Sequence, residues 1–300
     1  MATAKAKTTK KTSSAKKTTS KPAATKSTAT PAVGKVTTVS RHPVKEFFGR
    51  KYDANENILT IFKNPRIIGA ILAEIVGTMI LTIILLTLGI YNPLYLIFGI
   101  LAITIGVFAL SGAHLNPAIT VGMMASRRVS AIRGTLYIIS QVLGAWFGLL
   151  IVSAFRSAGG ESAAALPEMA TVEGTMFWAV TMVEFIGAII IGFFFARALI
   201  YKRSAFTFGA VVASGVFVAV LIAIVITSNF LQLQDVFVLN PAVAIMYNVL
   251  PSEAADFGTL IGEIGKALTT YAIFPMLGAT VGFYLSDFMG KLSDEKAIGA

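Results

Sequence analysis

The sequence predicts an all-α membrane protein of six transmembrane helices and two re-entrant half-helices, arranged as an inverted three-helix repeat. Three observations lead there. The 300-residue chain is 55% hydrophobic and 13% charged, with a mean hydropathy of +0.76. Soluble domains carry about 25% charged residues, so this composition excludes a soluble enzyme or binding module. Six apolar runs are long enough to cross a hydrocarbon layer about 30 Å thick. Segments of the first half also recur, in order, in the second.

Taken from the N-terminus, residues 1–45 read as a tail separate from this core. Nine lysines and Arg41 lie within residues 1–42, with no acid before Glu46, so residues 1–42 carry the equivalent of the whole formal net charge of +10. Its Lys, Thr, Ser, Ala and Pro composition cannot offset the entropy of ordering and predicts disorder. It lacks the apolar run of a signal peptide, and it is Lys-rich where a mitochondrial transit peptide is Arg-rich. Cysteine is absent, which excludes disulfides and thiolate metal sites.

Residues 46–66 form a lead-in, 67–286 the membrane core, and 287–300 a C-terminal tail. The predicted spans are about 67–90, 94–111, 134–155, 174–197, 205–228 and 264–286. Two shorter apolar stretches, about 117–126 and 241–250, each follow an Asn-Pro. At 1.5 Å per residue they reach about 15 Å, half the hydrocarbon thickness. That length predicts half-helices that enter and turn back, which is tolerated only where the broken backbone lines a cavity or is buried in protein.

Basic residues set the orientation. Arg127, Arg128 and Arg133 fall in one loop, and Arg197, Lys202 and Arg203 in another. The loops of opposite parity carry Glu161, Glu168, Glu173, Asp235, Glu253 and Asp256 against Arg156. Both termini are therefore expected in the cytoplasm, with the chain in the plasma membrane.

The two halves, about 67–155 and 174–286, correspond in three places. "AEIVGTMI" at 73–80 matches "VEFIGAII" at 183–190, "HLNPAIT" at 114–120 matches "VLNPAVA" at 238–244, and "LGAWFGLL" at 143–150 matches "LGATVGFY" at 277–284. One such match in an Ile/Leu/Gly-rich chain means little; three in order indicate a repeat. Each repeat crosses three times, so the second must be inverted relative to the first.

An inverted repeat brings Asn116, Pro117 and Ala118 against Asn240, Pro241 and Ala242 near the membrane midplane. Proline suits the first helical position, and the asparagine before it is a good N-cap. Each half-helix then aims its positive end at the centre, and two such ends repel cations, hydronium included. The Asn116 and Asn240 amides offer donors to a passing neutral oxygen. A water that accepts from both is oriented so that a continuous proton chain is broken. The alternative, two ordinary helix starts in loops, is disfavoured by the repeat.

These motifs resemble the major intrinsic protein family, the aquaporins and glycerol facilitators: "AEIVGT", "SGAHLNPAIT", the second "NPA" and "FPMLGATVG", within about 67–286. The resemblance implies a pore in every protomer, a homotetramer in the bilayer, water or small neutral solutes as permeants, no catalysis and no cofactor. It also implies that Glu74 and Glu184, at equivalent positions in the repeats, brace the re-entrant loops. A proton relay is the competing role for these acids, but no chain of titratable groups accompanies them. His114 is expected to brace its loop, since the only other histidine is His42 in the tail and no metal cluster can form. Gly77, Gly144, Gly148, Gly187, Gly278 and Gly282 have helix-packing spacings.

The chain departs from the family at the pore's narrowest point. The family carries an arginine three residues after the second asparagine, and this chain has Val243, with no basic residue between Arg203 and Lys266. The other constriction candidates are Leu96 or Phe98 in the second span, Ile224 or Ser228 in the fifth, and Phe237 in the second loop. None is the histidine typical of strict water channels. Water at an apolar ring loses roughly 1–3 kcal/mol per unpaired group, and such rings gate by dewetting. Small, neutral, partly apolar solutes are therefore expected to be favoured, with protons still excluded by the half-helix fields.

Two further readings remain at this level. A structural protein that does not conduct fits Val243 and Phe237. The Lys5–Arg41 tail, in turn, suits anionic lipid, at about 1 kcal/mol per charge near the surface, or a nucleic acid or other polyanion through counterion release.

Overall fold

The computed structural model describes residues 61–89, 92–160, 174–201, 204–233, 236–248 and 256–298. The Lys5–Arg41 tail and most of the 46–66 lead-in lie outside the described residues. Among the described residues six helices are long and apolar enough to cross a membrane. The first repeat holds α1 (Pro65–Ile84), α2 (Pro93–Ser111), the short α3 (Pro117–Ala125) and α4 (Ala131–Ala158). The second holds α5 (Gly174–Ala198), α6 (Ala205–Ile224), the short α7 (Pro241–Asn248), and α8 (Phe257–Leu268) leading into α9 (Phe274–Ile298).

Local chemistry accounts for the helix starts. Asn64, Asn92 and Asn116 each precede a proline, adopt extended backbone, and accept from the amide N–H two residues on. Asn240, also before a proline, likewise accepts from the Ala242 N–H. Ser130 and Ser204 cap α4 and α6, and Asp256 caps α8. Outside the membrane, the Thr259 N–H and hydroxyl hold the Asp256 carboxyl below its usual pKa. Asn-Pro is thus a general helix starter in this chain, used at four places, and does not by itself mark a half-helix.

The helix neighbours follow the inverted repeat. α1 packs on α2 and α4 as α5 packs on α6 and the last span; α3 packs against the last span as α7 packs against α4; α2 and α6 meet each other. Gly144 and Gly148 bring α4 onto the backbone of α1 at Ile75 and Met79, and Gly278 and Gly282 bring α9 onto α5 at Phe185 and Ile189. A Cβ at any of these four would collide with backbone, which cannot swing aside. Phe195, Phe208 and Phe283 fill the main apolar cluster between the repeats.

Element boundaries follow the expectation closely except in the last span. There the helical segment starts at Phe257, well before the predicted 264, and runs through the expected C-terminal tail as far as Ile298. Phe257–Leu268 carries Glu263 and Lys266, which pair at 2.9 Å, and this charge hides the helix from an apolar-run criterion. Periodicity also gives no warning of the π-helical stretches that the described residues contain at Leu85–Gly89, Val225–Leu231 and Thr269–Ile273. All three lie toward the end opposite the Arg127–Arg133 loop. That loop forms the basic end, where Arg128 Nη2 meets Asp287 Oδ1 at 2.6 Å and Tyr284 donates to the Ala125 carbonyl at 3.0 Å.

Candidate functional site

The site is built on two leucines whose backbone is unusual. Leu115 and Leu239, each immediately before a half-helix asparagine, have φ of 53° and 57°. For a non-glycine residue this left-handed conformation costs roughly 1–2 kcal/mol. It persists because both polar groups of each leucine are tied down.

On the N–H side, Leu115 donates to Glu74 Oε2 at 2.7 Å and His114 donates to Glu74 Oε1 at 3.0 Å. In the other repeat Leu239 and Val238 donate to the Glu184 carboxyl at 2.5–3.1 Å. Both acids are fully buried. A carboxyl at that depth needs donors, and the loop supplies them.

On the carbonyl side the bonds cross between repeats. Asn116 Nδ2 donates to the Leu239 carbonyl at 2.9 Å, and Asn240 Nδ2 donates to the Leu115 carbonyl at 3.0 Å. Each asparagine Oδ1 meanwhile caps its own half-helix, accepting from Ala118 at 2.8 Å or Ala242 at 3.1 Å. A primary amide has two N–H donors, so this clasp consumes one and leaves the second on each side.

Gly77 and Gly187 complete the seat. Each lies one helical turn after its glutamate, and a Cβ there would strike the Leu115 or Leu239 side chain. They were expected to serve helix packing; here they admit the loop leucine. The Glu-x-x-Gly spacing common to both repeats, together with the leucine before each Asn-Pro, is the sequence signal for this seat.

Between the repeats lies a cavity of about 70 Å³, room for several waters. Its polar side chains are Asn116, Asn240, His114 and Thr104; the rest of its wall is apolar, including Leu81, Leu85, Leu96, Ile100 and Val220. Of the constriction candidates, Leu96 lines it, whereas the Phe98 side chain is 66% exposed on the outside of α2. Ile224 and Phe237 pack against the main apolar cluster, and Ser228 is exposed within a π-helical stretch. Val243 is 1% exposed, packed with Ala145, Ala242 and Val142, and is not among the cavity's lining residues. Leu85 and Val220 were not singled out from the sequence, where an aliphatic residue facing a pore looks the same as one facing a neighbour.

His114 sits in a second network. Its Nδ1 is 3.2 Å from Thr120 Oγ1, which also receives Gln141 Nε2 at 2.9 Å, and Gln141 Nε2 donates to Glu74 at 2.7 Å. The imidazole is held edge-on by Tyr137 and Phe195. Among the described residues no group of three or more His, Asp or Glu side chains could hold a metal.

Two inverted repeats, each contributing an Asn-capped half-helix to a shared internal cavity, define a multi-pass integral membrane protein with the architecture of a channel. The chain belongs to the major intrinsic protein family, whose model matches residues 61–286. That is a family of channels and not of enzymes, as expected from the sequence. Local similarity is high to aquaporin PIP2-4 of Zea mays, 51% identical over 49 residues, and to aquaporin PIP2-5 of Oryza sativa subsp. japonica, 48% over 48. Each match covers 16% of this chain and 17% of the relative, so the chain aligns with about a sixth of those proteins' length. Among solved structures, the aquaglyceroporin from Plasmodium falciparum is similar at 20% identity and a TM-score of 0.49, over 74% of this chain and 94% of that one.

Proposed function

We propose that this protein is a passive channel for water and other small neutral solutes, closed to ions and protons. The observation that carries the reading is the pair of cavity-lining asparagines, each holding its own half-helix by Oδ1 and the opposite loop by one N–H. The second N–H of each amide is then available to a solute oxygen. Two half-helix N-termini at the same level oppose a cation. The aliphatic remainder of the wall supports preference for solutes that do not need full hydration. In this reading the basic end faces the cytoplasm of a cell whose plasma membrane holds the protein, and the chain works as a homotetramer.

Osmotic swelling of reconstituted vesicles tests it. Water, urea and glycerol should enter faster than into protein-free vesicles while an imposed pH gradient persists. Flux no faster than the lipid background would reject the channel and leave a non-conducting structural role. Rapid collapse of the gradient would reject proton exclusion. The Lys-rich composition of the tail supports a second, separate reading, attachment to anionic lipid or another polyanion.

A further inference from the structure

The wall of the cavity is not chemically symmetric, although the fold is. His114 of the first repeat corresponds to Val238 in the second, Thr120 to Ala244, and Gln141 to Pro275. The hydrogen-bonded chain Glu74–Gln141–Thr120–His114 therefore has no counterpart around the second half-helix. It lies at the first half-helix only, and its last member lines the cavity.

The donors along this chain favour one placement of the ring proton. Gln141 Nε2 has two hydrogens, and it meets two acceptors, Glu74 Oε2 at 2.7 Å and Thr120 Oγ1 at 2.9 Å. The Thr120 hydroxyl has a single hydrogen. It lies 3.1 Å from the carbonyl of Asn116, four residues back on the same helix, the usual acceptor for a helical threonine, and 3.4 Å from Gln141 Oε1; either acceptor takes the hydrogen away from His114. With its hydrogen used there and one lone pair filled by Gln141, Thr120 has one acceptor site left, and His114 Nδ1 lies 3.2 Å away. Nδ1 must then bring the hydrogen. A neutral imidazole carries only one N–H, so Nε2 is left as a bare acceptor. No hydrogen bond engages it among the described residues.

We propose that Thr120 is a positioning residue that locks His114 in its Nδ1–H form, so that Nε2 presents a hydrogen-bond acceptor to the permeating molecule. The inference rests on the channel reading above and narrows it. The asparagine amides donate; the imidazole accepts. A solute that both accepts and donates, such as water, urea or a small polyol, is matched at both stations. One that only accepts is matched at the asparagines alone. Val238 gives the other side of the cavity no equivalent side chain.

The chain has two histidines, so the full-length protein labelled with [15N]histidine in lipid bilayers yields two imidazole signals. His42→Gln identifies the one from His114. The expected result is a protonated Nδ1 and a bare Nε2 in the wild type and in Thr120→Ser. Thr120→Val, which removes the acceptor, should release the ring into a mixture of forms. A protonated Nε2 in the wild type, or an unchanged spectrum in Thr120→Val, overturns the proposal. In swelling assays His114→Phe should slow urea roughly three- to tenfold, the effect of about one hydrogen bond in the barrier, with a much smaller effect on acetone, which cannot donate. Equal slowing of both overturns the role in selection. The spectrum decides the ring's form whether or not solute passes, so a pore with no flux counts against the channel reading alone.

Discussion

Leu115 and Leu239 show how a single residue can be placed by bonds that are not its own side chain's. Each holds a disfavoured backbone because a buried carboxyl takes its N–H and an asparagine of the other repeat takes its C=O. Val243 is the opposite case, a residue whose motif position and surroundings point in different directions. By motif position it replaces an arginine, which invites the view that restoring arginine would rebuild a filter. Its side chain lies buried with Ala145, Ala242 and Val142 and beside the cavity-lining Leu85 and Val238, and a guanidinium there would be desolvated with no carboxyl among those neighbours. Burying an uncompensated charge costs several kcal/mol. Val243→Arg is therefore expected to lower the yield of folded protein and its thermal midpoint in detergent. A well-folded variant with a raised water-to-glycerol flux ratio would show that the side chain reaches the cavity after all.

At the level of helices and loops, the re-entrant segments depend on glycines in the spans that support them. Gly77→Ala or Gly187→Ala inserts a methyl against the loop leucine, an overpacking that typically costs about 1–3 kcal/mol. Gly69, on the same helix as Gly77, has open space where its Cβ would go, so Gly69→Ala should be neutral or slightly stabilising. Thermal unfolding of the three variants side by side checks this, and equal midpoints would mean that the seat carries no stability. Much of this layer was legible in the sequence. Six spans, two half-helices and the order of the repeats follow from apolar run length and from three matched segments, because membrane thickness fixes how long a span must be. The start of the last span was not legible, since Glu263 and Lys266 break the apolar run while leaving the helical spacing intact. The π-helical stretches were not either, because they add a residue to a turn without changing composition. At the site, the asparagines and glutamates stood out as polar groups where polarity is expensive. Leu85, Val220 and the Thr120–Gln141 bridge did not, since their roles depend on which way a side chain faces.

For the whole molecule, charge divides the chain into two parts. All of the net +10 lies within residues 1–42, while the half-helices and their braces lie within 74–244. Removing residues 1–45 should leave solute flux per protein unchanged and should weaken binding to vesicles rich in anionic lipid. The wild-type binding should itself fade as salt rises. If truncation alters flux and leaves vesicle binding intact, the tail acts on the pore and not on the lipid.

The crossed amides of Asn116 and Asn240 also bear on how the protein comes to be assembled. Among the described residues the one N–H that each asparagine gives to protein goes to a carbonyl of the other half. During synthesis the earlier half must therefore wait with its central loop unfinished until the later one is inserted, and covalent continuity matters less than arrival. Two fragments made by cutting within 161–173 and produced in the same cell should consequently find one another and copurify, while either one made alone should be degraded.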